Sequence, residues 1–171
     1  IILDRPNPIG GNPELSEGPM LDEENCSSFI GRWNLPIRHS CTLGELAGYF
    51  MNIKKITVDL TVIKIDNWNR NETTADIQWN FIPASQAIKN IETAFLYPGI
   101  GIMEGINVNE GRVTDFPFKI IGAPWINAEL LVHQFQSLAL PGISGNEYVY
   151  TAADSVYKKE CCRGIRLTIE D

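Results

Sequence analysis

The chain has 171 residues, of which 44% are hydrophobic and 20% charged, a globular composition with enough material for a buried core. Its formal net charge of -7 argues against nucleic-acid partners and against docking on an anionic membrane, because both repel an acidic surface. An acidic small substrate stays open, since a few local arginines outvote the global field. No uninterrupted apolar stretch approaches the ~20 residues of a membrane helix, and no signal peptide is visible at the start.

Taken in chain order, Ile1 to Leu3 reads as a strand already under way, and Gly164 to Asp171 as a strand with nothing after it. Both ends are therefore expected to be cuts through a larger domain. Asp4-Arg5-Pro6-Asn7-Pro8-Ile9-Gly10-Gly11 follows, where two prolines and two glycines forbid regular structure. The polar loop is expected to continue to about Asn25. Thr42 followed by Glu45 is a capping box, and Leu43, Leu46, Ala47 and Phe50 make an apolar stripe on the helix it opens. Val58 to Ile65 is rich in β-branched residues and reads as a buried strand.

Asn69 to Ala75 is a polar turn, and a short helix from Glu92 to Tyr97 is expected to end at Pro98-Gly99. Ile100 to Val108 and Phe118 to Ile121 are strand candidates. Asn127 caps a helix whose Leu131, Phe135 and Leu138 share a face, and Pro141-Gly142 stops it. Strands near Tyr148 to Tyr150 and at Ile165 to Ile169 complete the pass. Strands alternating with helices predict an α/β fold, with any site in loops beyond strand ends. The loops after Leu3 and after Val108 are the first places to look.

Three constellations carry possible chemistry. In the first, prolines rigidify the Asp4-Arg5-Pro6-Asn7-Pro8 loop, so Arg5 and Asn7 would meet a ligand with little entropy left to lose. A structural turn, with Asp4 pairing with Arg5 or capping backbone amides, explains the same residues. The second runs from Glu104 to Arg112 and holds Glu104, Asn107, Asn109, Glu110 and Arg112. Glycosidases need two carboxyls ~5–10 Å apart, and a fully extended segment would hold Glu104 and Glu110 ~20 Å apart. Either the chain bends near Asn107 to Asn109, or the two carboxylates do not act as a pair. Arg112 is placed to ion-pair with either one, and a solvated turn with a surface salt bridge explains the same residues. The third is Arg38-His39, because histidine titrates near neutral pH and suits proton transfer, although a lone histidine is more often structural.

Among the four tryptophans, Trp125 in Gly122-Ala123-Pro124-Trp125 is the best candidate to stack on a sugar. Glu45 is assigned to the capping box and His133 to plain surface. Cys26, Cys41, Cys161 and Cys162 have no metal-ligand spacing, so ordinary thiols are expected, with no metal and no cofactor.

Several stretches together resemble the exo-β-N-acetylmuramidase family, bacterial cell-wall glycosidases once catalogued as a domain of unknown function. They are Leu3-Asp4-Arg5-Pro6-Asn7-Pro8, Glu17-Gly18-Pro19-Met20-Leu21, Pro36-Ile37-Arg38-His39 and Thr42-Leu43-Gly44-Glu45-Leu46-Ala47. Trp68-Asn69-Arg70, Thr93-Ala94, Leu96-Tyr97-Pro98-Gly99, Glu104 to Arg112, Pro117-Phe118 and Gly122-Ala123-Pro124-Trp125 complete the set. Their order and spacing span nearly the whole chain. The resemblance implies a fragment: residues 1–52 as the end of a Rossmann-like domain, and residues 53–171 as much of a smaller auxiliary α/β domain.

It also implies part of a hydrolase that removes N-acetylmuramic acid from non-reducing ends of peptidoglycan, working in the periplasm or outside the cell. Glu104, His39 and Glu110 become the catalytic candidates; Arg5, Asn7, Arg38, Asn107, Arg112 and Trp125 become the substrate-binding ones. An arginine reads the lactyl carboxylate that distinguishes muramic acid. The family's Pro-Glu-His-Gly segment has no counterpart here, so this stretch alone is expected to be inactive. Ser40 stands where the family usually has glycine, Ile106 where it has threonine, and Val113 where a small residue is common. A Pro-Ser-Pro-Asn-Met-Pro stretch of the family is poorly kept around Ile82 to Lys89. A non-catalytic carbohydrate-binding module and a purely structural α/β domain remain as alternatives.

Overall fold

The computed structural model describes residues 1–77 and 79–170. The backbone falls into two units, Ile1–Phe81 and Ile82–Asp171. In the first, β1 (Ile2–Leu3) pairs in parallel with β4 (Val62–Ile63), and β2 (Glu17–Met20) pairs antiparallel with β3 (Pro36–Arg38). Helix α1 (Leu43–Ile53) follows β3. In the second unit, α2 (Ile91–Ile100) and α3 (Ala128–Ser137) accompany a three-stranded antiparallel sheet. Its strands are β5 (Ile120–Ala123), β6 (Ile143–Thr151) and β7 (Cys161–Ile169), in the order β5-β7-β6.

The capping box predicted at α1 forms in full. Thr42 Oγ1 accepts from the Glu45 amide at 3.2 Å, and the Glu45 carboxylate accepts from the Thr42 amide at 2.9 Å. Asp4 adds a second clamp, accepting from Thr42 Oγ1 at 3.0 Å and from the Gly44 amide at 2.7 Å. The helix approaches β4 so closely that a Cβ on Gly44 would lie 2.5 Å from Val62 Cγ1. The expected apolar stripe does not decide the packing, because Leu43 is exposed and Gly44 is the residue the helix buries.

Four other expectations change. The loop to Asn25 contains a 3-10 turn, Pro13–Leu15, and the strand β2; its partner β3 lies some twenty residues on, beyond the reach of local pattern reading. Val58 to Ile65 shortens to β4 and is not buried: Val58 is 55% and Ile63 53% exposed. β-branched residues favour strand backbone, but burial needs a facing layer. Helix α2 runs through Pro98, and the chain tightens into a 3-10 turn, Gly101–Gly105, where a strand was expected. The Gly101 amide still bonds back to the Tyr97 carbonyl, so helical pairing outlasts the proline. Leu138 follows α3 in the exposed linker, and the helix instead buries Ala128 and Val132.

The predicted caps at Asn127, the stop before Pro141 and the strands at Tyr148 to Tyr150 and Ile165 to Ile169 are present, the strands being longer than expected. Asp171, the last residue of the expected final strand, lies outside the described residues. Mixed helix and strand is the architecture, but the sheet of the second unit is antiparallel, so the strand-end rule for parallel sheets bears only on β1. The core of that unit gathers Leu96, Ile100, Phe118, Val132, Ile165 and Leu167, with Phe135 and Leu131 packed against it. Among the described residues no helix is long and apolar enough to cross a membrane.

Candidate functional site

In the first unit the loop after β1 is rigid for reasons visible atom by atom. Asn7 Oδ1 accepts from the Ile9 amide at 3.2 Å, and its carbonyl accepts from Gly10 at 3.0 Å. Arg70 and Gly11 exchange two bonds, and the Thr74 amide reaches the Pro8 carbonyl at 2.9 Å. Arg38 donates from Nη2 to the Ile9 carbonyl at 3.1 Å, while its Nη1 lies 3.8 Å from Glu17. Its Nε is buried without a partner among the described residues. Arg38 and Asn7 thus meet on one loop. Asp4 caps backbone amides, and the exposed Arg5 guanidinium makes no hydrogen bond among the described residues.

His39 follows Arg38. Its Nδ1 accepts from the Cys41 amide at 3.1 Å, which leaves the neutral ring its proton on Nε2. Burial pushes its pKa below the ordinary 6.5. Burial, then the nearby Glu45 carboxylate, pushes the Cys41 thiol up. Ser40 sits at φ 53, a left-handed backbone that glycine adopts without strain and that makes sense of the family's preference there.

In the second unit the run from Glu104 to Arg112 bends. Glu104 lies on the 3-10 turn, and Arg112 pairs through Nη2 with Glu104 and through Nε with Glu110 at 3.4 Å. Both carboxylates therefore serve one guanidinium, which also lies 5.0 Å from the centre of the Phe118 ring. They are not equivalent: Glu110 is 1% exposed, whereas Glu104 keeps more than a third of its side chain open. Arg112 lines a pocket of about 470 Å3 with Ser85, Gln86, Lys89 and Pro117, a size typical of small-ligand sites. The poorly kept Ile82 to Lys89 stretch is thus beside the arginine.

Asn109 holds this loop. It is fully buried; its Nδ2 donates to the carbonyls of Asp154 and Val156 at 3.0 and 2.9 Å. Its Oδ1 accepts from the Gly111 amide at 3.0 Å and lies 3.0 Å from Tyr150 Oη. Its backbone bridges to Gly122 in β5. Burial pushes the Tyr150 phenol up. Gly111 has φ +74, and a Cβ there would meet Ile120 Cγ1 at 2.3 Å.

Tyr157 Oη accepts from the Trp125 indole at 2.8 Å and donates to the Asn107 carbonyl at 3.2 Å, bringing these two predicted residues together. Sequence reasoning placed Asn109 in the polar run without giving it a role and did not single out Tyr150 or Tyr157; the tyrosines come from strands and loops some 40 to 50 residues away, with no local signal. Among the described residues no cluster of histidine, cysteine and carboxylates suits a metal ion, and the four cysteines are free.

Two crystal structures of DUF1343 family proteins from Bacteroides fragilis are similar to the chain. One is 31% identical with a TM-score of 0.86, over 98% of this chain and 44% of the other. The second is 29% identical with a TM-score of 0.67, over 95% and 42%. The model described as exo-β-N-acetylmuramidase NamZ, N-terminal, matches residues 1–92, and its C-terminal counterpart matches residues 95–171. The chain belongs to the NamZ exo-β-N-acetylmuramidase family. It is 39% identical over all 171 residues to the peptidoglycan β-N-acetylmuramidase NamZ of Bacillus subtilis strain 168, and spans 41% of that relative's length.

Two outcomes follow. His39 binds a proton less readily in the folded chain than in the unfolded one, so stability rises with pH through its titration. The contribution is present above 6.5 and is lost as pH falls through the depressed folded value. An NMR titration of the His39 ring should give a midpoint below 6.5, and a midpoint above it contradicts the burial argument. Val113, a β-branched residue at φ 66 with its side chain 66% exposed, stores backbone strain for little packing. Val113→Gly should stabilise the protein by about 1 kcal/mol in thermal melts, strain relief outweighing the extra freedom of the unfolded glycine.

Proposed function

We propose that the chain is part of an exo-acting glycoside hydrolase that removes N-acetylmuramic acid from the non-reducing ends of peptidoglycan fragments in the periplasm or outside the cell. In this reading it joins the end of a Rossmann-like domain to much of an auxiliary α/β domain. Family membership and the name of the Bacillus subtilis relative support the substrate class. The observation that carries the chemistry is the loop on which one arginine is held by a buried carboxylate and a half-open one.

The roles divide by access. Glu104 is the carboxylate with room to meet a sugar and acts as the acid–base group. Glu110 is buried and positions Arg112. His39, neutral with its proton on Nε2, donates to a substrate oxygen. Reading the lactyl carboxylate falls to Arg5, since Arg112 already faces two carboxylates and Arg38 is occupied by Ile9 and Glu17. A guanidinium with no acidic partner has its full charge and its paired N–H donors to offer. In this reading Asn7 and Asn107 serve as contacts to hydroxyl or acetamido groups, and Trp125 offers a face for a sugar ring beyond them.

The full-length protein should release N-acetylmuramic acid from a chromogenic muramic acid glycoside. Glu104→Gln should lower kcat by roughly 100-fold or more, the usual scale for losing a general acid. Arg5→Ala should weaken muramic acid binding by about 10-fold while sparing N-acetylglucosamine, the scale of one charge-assisted pair. Equal losses on both sugars would remove the carboxylate-reading role, and muropeptide binding without turnover would leave the non-catalytic module as the answer.

A further inference from the structure

A second pocket, of about 440 Å3, lies away from Arg112 in the same unit and is lined by the start of α3 and by strands β6 and β7. Trp125 and Val149 bring apolar surface to it and are 59% and 58% exposed. Glu129, Glu147 and Arg163 bring charge. Val149 and Arg163 are direct cross-strand partners, and Glu147 stands two residues before Val149 on the same face of β6. Among the described residues, the side chains of Glu129, Glu147 and Arg163 make no hydrogen bond or ion pair with one another or with any neighbour. Three charged groups with their bonding capacity unspent therefore face one hollow.

The ring beside them is held in place. The Trp125 indole N–H donates to Tyr157 Oη at 2.8 Å, so the edge is pinned and the faces stay free. An aromatic surface fixed in advance loses little entropy when a ligand stacks on it. The mixture of groups selects the ligand. An ammonium ligand calls for acceptors alone, and an anion for donors alone. A sugar hydroxyl both donates and accepts, and suits two carboxylates set beside a guanidinium.

We infer that this pocket is a further saccharide subsite, which stacks a neutral hexosamine on Trp125 and hydrogen-bonds its hydroxyls through Glu147, Glu129 and Arg163. The choice of a sugar over other polyols rests on the carbohydrate reading proposed above; the pocket itself does not. The bond from Tyr157 to the Asn107 carbonyl ties the subsite to the loop of Glu104 and Arg112, so a saccharide chain would be sensed at both places.

The test titrates the full-length protein, its tryptophans labelled with nitrogen-15, with the trimer of N-acetylglucosamine. That probe is neutral and has no lactyl carboxylate. The trimer should shift the Trp125 indole N–H signal. By calorimetry, Glu147→Gln and Arg163→Gln should each weaken binding about 5-fold, the range of one hydrogen bond. Trp125→Ala should weaken it roughly 10-fold through lost stacking. Glu147 and Arg163 are exposed strand positions, so their variants carry the test even where Trp125→Ala fails to fold.

No binding, or binding indifferent to Glu147→Gln and Arg163→Gln, overturns the subsite. So does a lysine-rich peptide that moves the Trp125 signal when the trimer does not. Release of muramic acid is read separately: trimer binding without release defeats the hydrolase and leaves the subsite standing, and release without trimer binding does the reverse.

Discussion

A single buried amide holds the second unit's polar loop in place. Asn109 has two donor hydrogens and one carbonyl oxygen, and all are used: two bonds to the Asp154–Val156 loop, one from Gly111, and a close approach by Tyr150. A buried amide left without partners costs several kcal/mol in an apolar surrounding, so these segments are compelled to meet. The Asp154–Val156 segment belongs to a connection that carries positive φ at Ser155, Tyr157 and Lys159. Such backbone persists where neighbours over-determine it, and Asn109 supplies that constraint. What the amide fixes on one side is Glu110 and Arg112, and on the other the loop that brings Tyr157 to Trp125.

The electrostatics follow from this placement. Glu110 is buried on the segment that Asn109 anchors, where its carbonyl accepts from the Phe118 amide at 2.9 Å, and a buried carboxylate needs a cation. Arg112 answers that need and draws Glu104 to its outer edge. The result is a sealed carboxylate on one side of the guanidinium and, on the other, a carboxylate about as open to solvent as the guanidinium itself. The first unit reaches rigidity by a different route. There Asn7, Arg38 and Arg70 bond backbone carbonyls and amides of the loop after β1, while Asp4 clamps the start of α1. Among the described residues the Arg5 guanidinium forms no ion pair.

What was legible in the sequence was local chemistry. Thr42 and Glu45 announce their helix because both halves of a capping box lie within one turn, and Asn127 announces α3 because its cap bond reaches the Leu130 amide three residues on. The polar density from Glu104 to Arg112 also showed in the residues, as did the alternative that the chain bends. The form of the bend did not show, because Ile100 to Val108 has strand-like composition and the helical pairing of α2 carries through Pro98. β2 and β3 escaped because their partnership spans a loop. Val58 to Ile65 reads as buried since β-branched residues suit strands, but α1 approaches it at Val62 while Val58 and Ile63 stay exposed. Ser40 and Val113, noted as departures from the family pattern, turn out to occupy left-handed backbone; the family's small residues there are explained by φ, which composition cannot reveal.

Hydrogen exchange at the Gly111 amide tests the central constraint most directly, because among the described residues that N–H bonds only to the Asn109 side chain. The account predicts that it exchanges as slowly as the Gly122 amide, which bonds to the Asn109 backbone within the same knot. Exchange at the rate of an open loop, with Gly122 still protected, would mean that Asn109 does not hold the segment carrying Glu110 and Arg112.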